Sequence, residues 1–133
     1  MNPKILKNLY AHLKVLLVED DEVANYLSLN ALESCGITNV HVTQNGKEAI
    51  NFLEQEKITP DIILLDLNMP IMGGLEFLQK CHERDTCIES RIFILTSSIR
   101  PEDKIKAREF DNVKDYLEKP LTDEKVENIL SNF

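Results

Sequence analysis

Along this chain, the spacing of hydrophobic residues changes repeatedly between a strand-like and a helical pattern. Five short apolar runs predict strands at 14–18, 40–43, 61–65, 91–95 and 113–117. Each run is followed by a stretch in which apolar residues recur every three or four positions, as they do on the buried face of a helix. A regular alternation of strands and helices is typical of a parallel sheet with helices packed on both faces.

The predicted helices have identifiable ends. The first begins at Glu22 and stops at Gly36. The second begins after Asn45, with Glu48 placed to close a capping box, and Thr122 fits the cap of the fifth. The predicted apolar faces are Val23, Leu27, Ala31 and Cys35 in the first helix; Ala49, Ile50 and Leu53 in the second; Leu75 and Leu78 in the third; and Val126, Ile129, Leu130 and Phe133 in the fifth.

Polar residues in two of the runs predict the order of the strands. The first, third and fourth runs are continuously apolar, as strands covered on both faces require. The second and fifth runs are interrupted by polar residues, which suits the two edges of a sheet. The flavodoxin-like strand order 2-1-3-4-5 meets both conditions. We therefore expect an α/β fold: a flavodoxin-like five-stranded parallel sheet with five helices on both faces.

This single domain would span residues 14–133, preceded by an amino-terminal extension over residues 1–13. The extension could form a partner-binding helix, although a packed or frayed tail is the commoner outcome. The apolar residues of that helix would be Ile5, Leu6, Leu9 and Leu13. The sequence ends shortly after the predicted fifth helix, so we expect no attached output domain.

The charge balance and composition exclude several kinds of partner. With 23 acidic and 15 basic residues, the chain carries a formal charge of −8 and would repel phosphate backbones, so direct nucleic-acid binding is not expected. No stretch approaches the roughly 18 apolar residues of a membrane span, and the first residues do not form a secretory signal. Three cysteines without a paired spacing fit idle thiols in a reducing compartment. We therefore expect a cytoplasmic protein without a membrane segment.

Chemically reactive side chains follow the ends of the predicted strands. Glu19 and Asp20 follow the first strand, and Asp66 follows the third. Thr96 closes the fourth strand, and Lys119 follows the fifth. With the strand order 2-1-3-4-5, ligands bind beyond the carboxyl ends of the strands, where the winding reverses between the first and the third. These five side chains should therefore meet at one edge of the sheet.

Crowded carboxylates in such a cleft repel one another unless a cation joins them. A set of ligands that contains only oxygen favours a hard ion such as Mg²⁺, which one or two carboxylates hold while several waters remain bound. One carboxylate oxygen could then attack a phosphorus atom in line. Thr96 and Lys119 are residues of the right type to bind the oxygens of the transferred phosphoryl group. Each residue alone is a weak signal, and their joint placement carries the hypothesis.

Four stretches give the sequence a family resemblance: LLVEDD, PDIILLDLNMPIMGG, FILTSS and DYLEKPLT. From about residue 14 to residue 130, the chain resembles the receiver domains of response regulators in bacterial two-component systems. The resemblance implies a protein that accepts a phosphoryl group from a histidine kinase or a histidine phosphotransfer protein. Phosphorylation would then change its affinity for an unknown downstream protein. The resemblance implies no enzymatic activity beyond the protein's own phosphorylation and dephosphorylation.

The resemblance also implies a role for each acid of the cluster. Asp66 corresponds to the phosphoacceptor, and Asp20 to the direct carboxylate ligand of Mg²⁺. Glu19, at a position where Asp is more familiar, would help to hold the ion through water. Asn68 would supply its main-chain carbonyl to Mg²⁺.

Three further residues match the family. Lys119 would bind the phosphate, and its bond to Pro120 would be cis. Thr96 corresponds to the switch hydroxyl and Tyr116 to the switch aromatic residue. Gly73, which stands where an acidic residue is frequent, is one of few departures and concerns the shape of a loop.

Other functions use similar elements. A dehalogenase-like phosphatase also uses a phosphorylated aspartate, but it has a second Asp two residues later, where this chain has Asn68. A nucleotide-binding flavodoxin-like module needs a glycine-rich phosphate loop after the first strand, where this chain has Glu19, Asp20 and Asp21. A receiver domain that signals without phosphate is a third alternative, although every pocket residue of the family is present.

Overall fold

The backbone alternates between strands and helices in the way that the hydrophobic spacing predicts. The computed structural model describes residues 9–87, 89–97, 100–131 and 133. The strands are β1 (Lys14–Val18), β2 (Asn39–Thr43), β3 (Ile62–Leu65), β4 (Arg91–Thr96) and β5 (Val113–Glu118). The helices are α1 (Glu22–Ser34), α2 (Gly46–Glu56), α3 (Gly74–Glu83), α4 (Pro101–Ala107) and α5 (Asp123–Leu130). Within these described ranges, no helix is long and apolar enough to cross a bilayer.

The five strands form one parallel sheet in the order β2-β1-β3-β4-β5. This order confirms the predicted flavodoxin-like fold and its assignment of central and edge strands. Every residue of β3 is buried, whereas β5 contains no fully buried residue. Because all the strands run in the same direction, their carboxyl ends lie along one edge of the sheet.

Two apolar clusters cover the two faces of the sheet, because successive residues of a strand point to opposite sides. Leu17 and Leu64 belong to the cluster that includes residues of α1 and α5. Leu16 and Ile63 belong to the cluster that includes residues of α2, α3 and α4. The sheet is therefore held between two layers of helices, and this packing fixes the positions of the central strand ends.

The buried face of α1 differs from the prediction. Val23 is 66% exposed and Leu27 is 41% exposed, although the helical spacing placed both on the apolar face. The helix instead buries Ser28, Ala31 and Leu32. Large apolar residues lie on more than one side of α1, so their spacing does not select a single face. Contact with the sheet decides which side is buried.

The other helices agree largely with the sequence prediction. Asn45 caps α2 by accepting a hydrogen bond from Glu48 N at 2.9 Å, and Thr122 caps α5 in the same manner. Phe133 is an exception, because it lies beyond the end of α5 and is 46% exposed. The Arg91 guanidinium lies 4.1 Å from the centre of its ring. Phe133 therefore covers a charged side chain and does not continue the buried stripe of α5.

Part of the amino-terminal extension packs on the domain. Leu13 is buried in the same cluster as the residues of α1 and α5, and Tyr10 packs against that cluster. Leu9 is 47% exposed. Ile5 and Leu6 lie outside the described residues, so the partner-binding helix stays a prediction. Leu13 belongs to the core and is not available to a partner.

We predict that Leu32→Ala destabilises the domain far more than Val23→Ala. Leu32 is 2% exposed, so its truncation leaves a cavity and should lower the free energy of unfolding by about 2–5 kcal/mol. Loss of the exposed Val23 side chain should change it by less than about 0.5 kcal/mol. Chemical denaturation of both variants measures the difference. Equal losses would contradict the burial of Leu32 and the exposure of Val23.

Candidate functional site

Three carboxylates meet where β1 and β3 end. Glu19 and Asp20 follow β1, and Asp66 follows β3, its neighbour in the sheet. A hydrogen bond from Asp66 N to Val18 O, at 3.0 Å, fixes the backbone of Asp66 against β1. One carboxylate oxygen of each acid lies within 4.8 Å of those of the other two. The structure therefore brings the three predicted acids together.

The three acids differ in accessibility. Glu19 and Asp66 are 1% and 5% exposed, whereas Asp20 lies at the surface. Glu19 Oε2 accepts a hydrogen bond from Asp21 N at 3.2 Å, and Asp66 Oδ1 accepts one from Asn68 N at 3.3 Å. The cluster therefore combines two buried acids, Glu19 and Asp66, with one acid, Asp20, that solvent can reach.

Lys119 supplies a positive charge to this cluster. Its Nζ lies 3.3 Å from Asp66 Oδ2 and also contacts Glu19 Oε1. Its backbone N–H donates to Thr96 O at 2.8 Å, which ties the end of β5 to the end of β4. The bond between Lys119 and Pro120 is cis, as the family resemblance implied. Residues from the ends of four strands therefore meet at this edge.

Burial and neighbouring charges shift the pKa values of Glu19 and Lys119. Burial raises the pKa of Glu19 to about 7, with a further increase from the charge of Asp66 and a partial decrease from Lys119. Burial lowers the pKa of Lys119, but its hydrogen bond to Glu19 and the charges of Asp66 and Glu19 outweigh this effect and raise it. Lys119 therefore stays charged at neutral pH, while the charge of Glu19 is only partly stabilised.

The donor set of the cluster fits a hard divalent cation. The carboxylates of Glu19, Asp20 and Asp66 offer only oxygen ligands, the type that Mg²⁺ prefers. A hydrated ion can reach Asp20 from solvent without displacing any core residue. Burial, with the added effect of the Asp66 charge, raises the pKa of Glu19, and a nearby divalent charge would favour its ionised form. The residues present therefore fit Mg²⁺.

Thr96 and Tyr116 lie on the two strands beyond the acids. Thr96 is the last residue of β4, and its side chain is fully buried. Tyr116 is half-buried in β5, and its hydroxyl donates to Lys104 O, in α4, at 3.1 Å. The Lys104 ammonium lies 5.3 Å from the centre of the same ring. Burial raises the pKa of the Tyr116 hydroxyl. The side chain of Tyr116 therefore contacts α4 through its hydroxyl and its ring.

Comparison with known proteins identifies the fold and the class of protein. Residues 15–131 match the family described as "Response regulator receiver domain". The chain belongs to this family. It is 36% identical over 118 residues to Two-component response regulator 24 of Arabidopsis thaliana, a match that covers 89% of this chain and 81% of that protein. The resemblance found in the sequence is confirmed.

Solved structures of response regulators share the fold of this receiver domain. A two component response regulator from Cytophaga hutchinsonii has a TM-score of 0.81 and 30% identity, with 90% of this chain and 94% of that chain covered. The Mn²⁺-bound form of response regulator Rcp1 has a TM-score of 0.70 and 29% identity, with 89% and 88% covered. The chain spans about half the length of two other curated relatives, 51% of one and 52% of the other.

Gly74 contributes to the site of this receiver domain in a way that the sequence did not reveal. It begins α3, and a Cβ at this position would lie 2.5 Å from Asp66 O and 2.8 Å from Leu67 Cα. Only a residue without a side chain allows the start of α3 to approach the end of β3 so closely. Gly74 lies in one of the stretches that carry the family resemblance, but a motif does not show which backbone atoms a glycine faces.

We predict that Gly74→Ala destabilises the receiver domain and displaces the end of β3. The added methyl group would overlap backbone atoms, so we expect the free energy of unfolding to fall by about 1–3 kcal/mol. The amide resonance of Asp66 should shift. Gln79→Ala, at an exposed position of the same helix, is the control and should stay within about 0.5 kcal/mol of the wild type. A Gly74→Ala protein as stable as the control would contradict the close approach.

Proposed function

We propose that this receiver domain accepts a phosphoryl group on Asp66 from the phosphohistidine of a histidine kinase or a histidine phosphotransfer protein. The observation that carries the proposal is the position of Asp66, which ends a central strand among other carboxylates and beside the Lys119 ammonium. Membership of the receiver family supports it. Three free thiols suit a reducing compartment, and we place the exchange in the cytoplasm.

Mg²⁺ is the cofactor that the site would use. We assign direct coordination to the carboxylates of Asp20 and Asp66, a contact through water to Glu19, and a main-chain carbonyl contact to Asn68. When bound, the ion would neutralise charge on the carboxylates and on the phosphoryl oxygens. That one related response regulator has a Mn²⁺-bound form supports a divalent ion.

In the proposed transfer, a carboxylate oxygen of Asp66 attacks the phosphorus atom in line. The N–P bond to the donor imidazole breaks as the O–P bond forms, and the imidazole nitrogen keeps the bonding electrons and takes up a proton. Lys119 Nζ, already 3.3 Å from Asp66 Oδ2, stabilises the negative charge of the phosphoryl oxygens. Attack of water on the acyl phosphate later restores Asp66. The domain would therefore act on itself and not on a separate substrate.

Readout of the phosphate would depend on Thr96 and Tyr116. A phosphoryl group on Asp66 adds negative charge and acceptor oxygens, toward which the Thr96 hydroxyl would move. Tyr116 would then exchange its hydrogen bond to Lys104 O for a position nearer to β4. This movement would break the hydrogen bond between Tyr116 and α4. It would alter the surface formed by α4, β5 and α5, to which a downstream protein would bind.

We predict that Asp66→Asn abolishes phosphorylation. With acetyl phosphate and Mg²⁺, the wild type should gain one phosphoryl group, detected by intact-protein mass spectrometry. The variant should gain none, because an amide oxygen is a much weaker nucleophile than a carboxylate. Asp61→Asn, at the opposite end of β3, is the matched control and should be labelled like the wild type. Labelling of the Asp66→Asn protein at another residue would disprove the assignment.

We predict that Thr96→Ala retains phosphorylation on Asp66 but loses most of the surface response. Without the hydroxyl, the coupling between pocket and surface, typically about 1–3 kcal/mol, should fall. Amide shifts of α4, β5 and α5, recorded with and without beryllofluoride, measure the response. Tyr116→Phe removes the hydrogen bond to Lys104 O and should shift the resonances of α4 even without beryllofluoride. An undiminished response in Thr96→Ala would refute this switch.

A further inference from the structure

The backbone of Glu19 is held on both sides by residues that are not part of the acidic cluster. Its N–H donates to Thr43 O, at the end of β2, at 2.9 Å. Its carbonyl oxygen accepts a hydrogen bond from Asn25 Nδ2, in the first turn of α1, at 3.0 Å. A carbonyl oxygen can only accept, so this contact determines which end of the Asn25 amide faces Glu19.

The hydrogen bond from Asn25 acts on the peptide group that joins Glu19 to Asp20. Because a peptide group is planar, a bond to Glu19 O restricts the orientation of the whole group, including the nitrogen of Asp20. Asp20 is exposed, so packing does not hold its side chain in place. The direction of the Asp20 carboxylate therefore depends on the orientation of this peptide.

The two residues that hold Glu19 also carry buried oxygens without a partner. Apart from Glu19 Oε1, which contacts the Lys119 ammonium, the buried side-chain polar atoms without a hydrogen bond in the described part of the chain are Asn25 Oδ1 and Thr43 Oγ1. A buried oxygen that lacks a donor is unfavourable. The hydrogen bond from Asn25 Nδ2 to Glu19 O is therefore kept although it leaves the other end of the same amide without a partner.

We propose that Asn25 is a positioning residue for the metal site: its Nδ2, bonded to Glu19 O, fixes the orientation of the Glu19–Asp20 peptide and with it the direction of the Asp20 carboxylate. This inference rests on the proposed function, because it requires an ion at Asp20 and Asp66. Mg²⁺ in protein sites is held by only one or two carboxylates, so its affinity depends on how those carboxylates are oriented. Residues that orient metal ligands affect metal affinity without touching the metal.

Titration with Mg²⁺, followed by amide chemical shifts, tests the role of Asn25. Asn25→Ala removes the amide, and Asn25→Leu removes it while keeping a similar volume. We expect the Kd for Mg²⁺ to rise about 10-fold in both variants. Asn30→Ala, at an exposed position of the same helix, is the matched control and should bind Mg²⁺ like the wild type. Thermal unfolding in EDTA measures separately what each substitution does to the metal-free fold.

The outcomes separate this inference from the proposed function. A lower unfolding midpoint in EDTA with an unchanged Kd for Mg²⁺ would mean a purely structural role for Asn25 and overturn the inference. Phosphorylation of Asp66 would then stand as proposed. A wild-type protein that does not respond to Mg²⁺ would overturn both the metal assignment and the role of Asn25. If Asn25→Ala does not fold, the Kd of Asn25→Leu decides.

Discussion

The ion pairs of Lys119 with Glu19 and Asp66 hold the acidic edge of this receiver domain together. Two like charges about 4 Å apart repel by about 4 kcal/mol at an effective dielectric constant near 20. Three carboxylates within 4.8 Å of one another therefore need positive charge nearby. Burial, with a smaller contribution from the charge of Asp66, still raises the pKa of Glu19 to about 7 despite the nearby ammonium. With three carboxylates and one ammonium, the cluster keeps a formal excess of negative charge.

The topology of the sheet separates the fixed parts of this pocket from the parts that can move. The acids follow β1 and β3, central strands that are packed on both faces. Lys119 and Tyr116 belong to β5 and its end, at an edge of the sheet where no residue is fully buried. The hydrogen bond from Lys119 N to Thr96 O links the two parts. A change at Asp66 therefore meets less resistance from β5 than from β1, and the readout is expected on that side.

The fold and the acidic cluster could be predicted because both depend on residue types at strand ends. Continuous apolar runs identified the central strands, and Glu19, Asp20 and Asp66 follow two of them. The buried face of α1 could not be predicted, since large apolar residues occupy more than one side of that helix. The contacts of Asn25 and Gly74 with the backbone beside the acids could not be predicted either. They depend on how closely a helix approaches a strand, which spacing along the chain does not encode.

Features that are unfavourable for folding lie together at the same edge of the sheet. Glu19 is a buried acid, and Asn25 Oδ1 and Thr43 Oγ1 are buried oxygens that lack a donor. Each of these lowers the stability of the isolated chain, and the apolar clusters on both faces of the sheet offset the loss. A divalent cation at Asp20 and Asp66, as proposed, would supply positive charge beside the buried Glu19. Under the proposed function, the acidic arrangement that lowers the stability of the fold would also favour the binding of an ion.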